Sequence, residues 1–216
     1  MKLNYIEYPT VEMISRSSSF NLDMQRRRTV RDFDERPVPD EVIRYALSTA
    51  MSAPSGANRQ PWRFVVVRNT EIKREIRDAA EIEEREFYAG RAPNEWLEAL
   101  EPLGTNEHKP FLTEAPVLIA IFLERYGIDS EGNRVKNYYT PESVGIATGF
   151  LIAALHNAGL ATLTHTPSPM RFLNKILHRP SRERPYLLLV VGYPKLDTQV
   201  PDIEKLKFED VVSNLD

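Results

Sequence analysis

Four segments of this chain carry residue types whose chemistry goes beyond building a core. The first is Arg26-Arg27-Arg28-Thr29-Val30-Arg31, where guanidiniums cluster around a hydroxyl. Paired, charge-assisted hydrogen bonds from such a set can hold a phosphate. Taken alone, a basic run is more often a solvated turn. The second is Ala53-Pro54-Ser55-Gly56-Ala57-Asn58-Arg59-Gln60-Pro61-Trp62. Its proline and glycine bend the chain between a helix and a strand, leaving backbone N–H groups open to a ligand; a plain connecting turn would look the same. The third, Thr164-His165-Thr166-Pro167, closes a predicted strand, where α/β sheets tend to hold ligands. The fourth is Gly192-Tyr193-Pro194, followed by a tail that carries Lys205 and Lys207.

Many other chemistries are excluded. The chain has no cysteine, which removes thiol nucleophiles, disulfides and thiolate metal sites. His108, His156, His165 and His178 lie far apart at no metal-ligand spacing, so no metal site is expected. There is no GxGxxG after a strand, no GxxxxGK[ST] phosphate loop and no GxSxG elbow. A net charge of −3 argues against general nucleic-acid binding. The apolar stretches are too short to span a bilayer, and Met1 to Phe20 lacks the apolar run of a signal peptide. A cytoplasmic protein is expected, with neither membrane nor nucleic acid as partner.

The elements that must position these segments follow from periodicity. Val11, Ile14 and Phe20 mark an amphipathic N-terminal segment. Val42, Ile43, Ala46, Leu47 and Ala50 recur at helical spacing after Pro39, and Pro54-Ser55-Gly56 stops that helix. Phe64 to Val67 predicts a buried strand, and Thr70 to Tyr88 a charged helix with Ile72, Ile76, Ala79 and Ile82 inward. Residues 89 to 114 carry Gly90, Pro93, Pro102, Gly104 and Pro110 and predict irregular chain. A strand over Val117 to Leu123 and a polar excursion over residues 124 to 139 come next. In the following helix Thr140 is the expected cap, Pro141 suits the first turn and Gly159 the position past the end. Its body, Val144 to Leu155, is apolar nearly all round and must be covered on most sides. Strands at Ala161–Thr164 and Tyr186–Val191, with a short helix near Phe172 to Leu177 between them, complete a mixed α/β or α+β order.

In this order the segments resemble the nitroreductase superfamily of FMN proteins, through R-R-T-V-R, A-P-S-G-A-N-x-Q-P-W and the closing V-G-Y-P. Further marks resemble its iodotyrosine deiodinase branch: Glu84 and Tyr88, Thr105-Asn106-x-x-Lys109, Tyr138-Tyr139, L-x-A-A-L-x-N-A-G-L over Leu151 to Leu160, and T-x-T-P. The match runs from about Tyr8 to Val211. It implies a nitroreductase-like α+β fold, a central mixed sheet flanked by helices, spanning residues 1–216 as one domain. It also implies a domain-swapped homodimer with two FMN sites at the interface.

The resemblance assigns Arg27, Arg28, Thr29, Val30 and Arg31 to the FMN, and sets Pro54, Ser55 and Gly56 against it. Thr164, His165 and Thr166 join them, with Thr166 as the catalytic residue, placed to donate a hydrogen bond toward flavin N5. Lys205 falls where the family usually has arginine, so it can neutralise a phosphate without bidentate chelation. For the substrate, Glu84 and Tyr88 share one helical face. A zwitterionic amino acid needs an anion for its ammonium and a cation for its carboxylate, which Glu84 and Lys109 supply. Tyr88 would touch the polar or aromatic part, and the Ala57 N–H would meet the phenolate. Without this match, one glutamate beside Glu81, Glu83, Arg85 and Glu86 is ordinarily solvated surface. Residues 84–114 are expected to form a substrate lid. The implied reaction is FMN-dependent reductive dehalogenation of halotyrosine to tyrosine and halide, fed by an NAD(P)H-linked electron donor. A broad NAD(P)H-dependent nitroreductase or quinone reductase, and a non-catalytic flavin-binding protein, remain alternative readings.

Overall fold

The computed structural model describes residues 1–215; Asp216, the last position of the expected domain, lies outside the described residues. In chain order the elements are α1 (Thr10–Gln25), β1 (Phe33–Asp34), α2 (Asp40–Met51), β2 (Trp62–Val67), α3 (Thr70–Glu86), α4 (Asn94–Leu100) and α5 (Phe111–Glu114). After these come β3 (Val117–Glu124), the short strands β4 (Tyr126–Ile128) and β5 (Arg134–Lys136), α6 (Thr140–Asn157), β6 (Ala161–His165), α7 (Phe172–Ile176), β7 (Glu183–Pro194) and α8 (Phe208–Val211).

The composition of β3 fixes the architecture. It is buried at every position, as a strand needs to be when both faces of its sheet are covered. Val117, Ile119, Ile121 and Leu123 pack with Ile43, Ala46 and Ala50 of α2 and Val144, Ala147, Leu151 and Leu155 of α6. The alternate residues Leu118, Ala120 and Phe122 face Ile76 and Ala80 of α3, Phe111 and Leu112 of α5 and Leu173 of α7. Strand periodicity thus divides the core into two layers, one on each face. Cutting the fully buried Phe122 back to alanine would cost about 3–5 kcal/mol through the void it leaves.

The central sheet flanked by helices is as expected. Each pairing between strands is antiparallel: β2 with β3, β3 with β7, and β6 and β1 both along the other edge of β7. Its parallel component is a single bridge between Thr29 and Thr162, closed by the Val30 N–H on the Thr162 carbonyl at 3.2 Å. That bridge lays the arginine run along β6.

Four expectations change. Residues 89–114 are not irregular throughout, since Asn94–Leu100 forms α4 and Phe111–Glu114 forms α5; the prolines sit at or before helix starts, where a missing N–H costs nothing. The polar excursion contains the β4–β5 hairpin, turned by Asp129, whose carboxylate accepts N–H bonds from Glu131 and Asn133. Ile82 is exposed, while Lys73, Ile76 and Ala80 form the inner face of α3. Thr140 is the first residue of α6, not its cap; left-handed Tyr139 holds that position, and the Ser143 hydroxyl donates to its carbonyl at 2.6 Å. Gly159 does end α6, with φ +82°. Among the described residues, no helix is long and apolar enough to cross a membrane.

Candidate active site

The inner face of α3 continues past the core. Glu84 follows Ile76 and Ala80 at helical spacing, so it emerges at the rim of the same layer instead of in open solvent. It meets Lys109, just before α5, at 3.0 Å. The Lys109 side chain is 3% exposed and that of Glu84 14%. The same ammonium donates to the Thr105 hydroxyl at 3.2 Å and to the Asn106 carbonyl, and it lies 5.7 Å from the centre of the Tyr88 ring. Burial raises the Tyr88 pKa, as do the nearby Glu84 and Glu107 charges, while Thr105 and Arg31 pull it down. The net rise keeps the phenol protonated and able to donate.

These residues wall a cleft of about 190 Å³, closed on the other sides by Arg31, Phe87, Trp96, Phe111 and the Thr164–Thr166 strand end. Along that strand end, exposure alternates: Thr164 and Thr166 face outward and His165 inward. His165 is 7% exposed, meets the Phe111 ring edge-on at 5.5 Å, and has an Nε2 without a hydrogen-bond partner among the described residues. Burial first, then the Lys109 and Arg31 charges, lowers its pKa to about 3, so the imidazole is neutral at ordinary pH. Burial also lowers the Arg31 pKa, against the pull of Tyr88 and Asp32; a guanidinium nevertheless stays charged.

The Pro54–Ala57 segment does not line this cleft. It enters a tight loop in which Ala57, Asn58 and Gln60 all have positive φ. The loop spends its amides internally: Asn58 N–H on the Ser55 carbonyl, Arg59 N–H on that of Gly56, and Gln60 N–H on the Ser55 hydroxyl. Gly56 N–H reaches the Ser143 hydroxyl at 3.4 Å. The Ala57 N–H has no partner among the described residues, and Ala57 is exposed. Left-handed backbone at non-glycine residues is strained and persists where surroundings enforce it. Here the lock includes buried Asn137, which accepts from Arg59 at 3.3 Å and donates to the Glu124 carbonyl at 2.8 Å. A Cβ on Gly56 would lie 2.8 Å from the Tyr138 carbonyl oxygen.

Of the arginine run, Arg31 reaches the cleft, and Arg28 donates to the Pro201 carbonyl. Arg27 and Thr29 are half-buried, Thr29 beside β6, while Val30 packs in the core with its amide committed to Thr162. Lys205 is exposed and lies outside the cleft lining. A single chain therefore gathers Arg31, Glu84, Tyr88, Lys109, Thr164, His165 and Thr166, and leaves Pro54, Ser55, Gly56, Ala57 and Lys205 apart.

Residues 24–193 match the model of the nitroreductase family, which spans the arginine run, the cleft and β7. The chain belongs to the nitroreductase family. A family relative, the iodotyrosine deiodinase of Haliscomenobacter hydrossis, is 55% identical over 199 residues, covering 92% of this chain and 90% of that protein. Iodotyrosine deiodinase 1 of Homo sapiens is 41% identical over 208 residues, 95% of this chain and 71% of that one. Among solved structures, an oxidized iodotyrosine deiodinase bound to FMN and 3-iodo-L-tyrosine superposes with a TM-score of 0.77 at 34% identity, over 91% of this chain and 98% of that one.

Family likeness gave no role to several residues that wall or brace the cleft. Phe87, Trp96 and Phe111 close it, and Thr105 holds the Lys109 ammonium. The fold itself marks the inward face of α3 that leads to Glu84 with buried Lys73, whose ammonium donates to the Thr113 and Ala115 carbonyls at 3.0 and 2.8 Å. The loop residues carry no periodicity and offered no signal.

Proposed function

We propose that this protein is an FMN-dependent reductive dehalogenase of halotyrosines, releasing tyrosine and halide. The observation that carries the reading is the Glu84–Lys109 pair, buried beside Tyr88 in a cleft that ends at Thr164–Thr166. This is a bipolar grip for a zwitterion, on a chain 55% identical to a protein named iodotyrosine deiodinase.

The residues fit the cofactor. Arg31 lines one side, threonine hydroxyls face outward at a strand end, and the unpartnered His165 Nε2 is a buried polar atom lacking a counterpart. The cleft of about 190 Å³ is smaller than the roughly 300–1,000 Å³ of ordinary ligand pockets, so further walls are needed. A homodimer supplies them. Ile146 and Phe150 on the apolar α6 are 43% and 40% exposed, α1 buries no residue, and Leu206, Phe208 and Val211 lie bare on the tail. Exchanging these surfaces between two copies would cover them and bring Pro54–Ala57 and Lys205 of one copy toward the cleft of the other.

When bound, FMN supplies the two electrons that, with a proton, replace the carbon–halogen bond by carbon–hydrogen. Arg27, Arg28 and Arg31 would hold its phosphate and ring, and the Thr166 hydroxyl would donate toward N5. Glu84 takes the ligand's ammonium, Lys109 its carboxylate, and Tyr88 donates from its protonated phenol. Ala57 offers a spare N–H to the phenolate. Residues 84–109 would close as a lid and exclude water, while Phe111 and Leu112 anchor its far end in the core. An NAD(P)H-linked donor restores the electrons.

The test is a titration of the FMN-loaded protein by flavin fluorescence. 3-Iodotyrosine should bind and quench, 2-iodophenol should bind weakly, and chemical reduction with 3-iodotyrosine present should yield tyrosine and iodide. Equal binding of the two ligands would instead favour a broad nitroreductase. Absence of tyrosine after reduction would favour a non-catalytic flavin protein.

A further inference from the structure

Lys109 is held from two sides of α3, and the two holds differ in kind. Glu84 grips its ammonium, while Glu81, one turn earlier, accepts its backbone N–H at 2.8 Å through Oε1. The same oxygen accepts from Arg77 Nε at 2.7 Å. Arg77 also donates to the Thr113 hydroxyl at 3.0 Å, and that hydroxyl donates to the Pro110 carbonyl at 3.0 Å. Arg77, Glu81 and Thr113 therefore bracket the chain from Lys109 to the start of α5. The Glu81 side chain is sheltered, and its pKa ends below the ordinary value: burial pushes it up, but the Lys109 N–H and the Arg77 guanidinium outweigh that. It is an anion committed to two donors and does not face the cleft.

This matters when a zwitterion arrives, a consequence that rests on the reading above. The ligand's ammonium must draw Glu84 away from Lys109, and the lysine loses one of its attachments at the moment it is needed. The Glu81 bond is to backbone, so the exchange of side-chain partners leaves it intact. It lies at the junction between the buried Phe111–Leu112 anchor and the 84–109 segment, where a small rotation would swing the ammonium out of reach. We propose that Glu81, held by Arg77, is a positioning residue that fixes Lys109 for the ligand carboxylate throughout this exchange of partners. Two side chains of α3 and one just past its end then divide the work: Glu81 sets the backbone of Lys109, Glu84 its charge, and Tyr88 the wall beside it.

The test compares Glu81→Leu with Glu81→Gln in the FMN-loaded protein. Without ligand, exchange of the Lys109 amide read by NMR should accelerate at least about tenfold in Glu81→Leu, because its acceptor is gone. The dissociation constant for 3-iodotyrosine should rise about tenfold, whereas FMN content and the dissociation constant for 2-iodophenol, which lacks a carboxylate, should hold. Glu81→Gln keeps an acceptor oxygen and should stay within about threefold of wild type on both measures. Should Glu81→Leu fail to fold, Arg77→Met probes the clamp from its other end and should move the same two quantities. A folded Glu81→Leu with unchanged 3-iodotyrosine affinity would overturn the proposal, as would equal losses for both ligands. If wild type does not bind 3-iodotyrosine, the halotyrosine reading falls by itself, and the ligand-free exchange of Lys109 still decides whether Glu81 holds its backbone.

Discussion

Replacing Glu84 by glutamine should change the affinities of two related ligands in opposite directions. In the ligand-free protein Glu84 and Lys109 are 3.0 Å apart and largely buried. At an effective dielectric constant of about 20 their attraction is about 5.5 kcal/mol, and halving it for the part of Glu84 that meets water leaves about 3 kcal/mol. A ligand with a carboxylate but no ammonium must break this pair to reach Lys109 and gives Glu84 nothing in return. Desamino-3-iodotyrosine should therefore bind wild type poorly and bind Glu84→Gln at least about tenfold more tightly, since 1.4 kcal/mol is one decade. 3-Iodotyrosine breaks one pair and forms two in wild type. In Glu84→Gln its ammonium is desolvated against a neutral amide, so its affinity should fall at least about tenfold. Flavin-fluorescence titrations of the four combinations, at one pH and salt concentration, measure both changes. If the two ligands shift in the same direction, or neither moves by more than about threefold, the exchange of partners at Lys109 is wrong.

Three further outcomes are expected. His165 is neutral in the fold with a pKa of about 3 against an ordinary 6.5, so the unfolded chain takes up its proton first; stability is full above pH 6.5 and falls as pH drops toward 3, with a slope nearing about 1.4 kcal/mol per pH unit. Unfolding free energies from urea titrations across that range should fall less steeply in His165→Gln than in wild type, by about that slope. Gly56→Ala sets a Cβ 2.8 Å from backbone of Tyr138, which has little freedom to yield, and should cost about 1–3 kcal/mol in thermal or urea unfolding; an unchanged midpoint would mean the loop relaxes freely. Truncation after Pro201 removes the exposed Leu206, Phe208 and Val211, so light scattering should report a monomer and absorbance a loss of FMN. A truncated dimer with full FMN would remove the tail from the assembly.

The sequence by itself determined the elements whose apolar pattern is strong. Val117 to Leu123 read as a strand, and Val144 to Leu155 as a helix needing cover on most sides. Pro54-Ser55-Gly56 marked the end of the helix after Pro39, and Gly159 that of α6, where its φ of +82° suits glycine. The ordered motifs also named Glu84, Tyr88 and Lys109, but only through likeness to a family, since charge patterning cannot separate Glu84 from Glu81, Glu83 or Glu86. Tertiary structure decided the rest. The phase of α3 against the core turns Glu84 inward and leaves Ile82 bare, against what its hydropathy suggests, because the ammonium of Lys73 finds two carbonyls and so lets a lysine take an inner position. Folding also gave Glu81 a role that no spacing announces: its partner is the backbone amide of Lys109, 28 residues away. Every residue but proline offers that group alike, so only the path of the chain in space selects it.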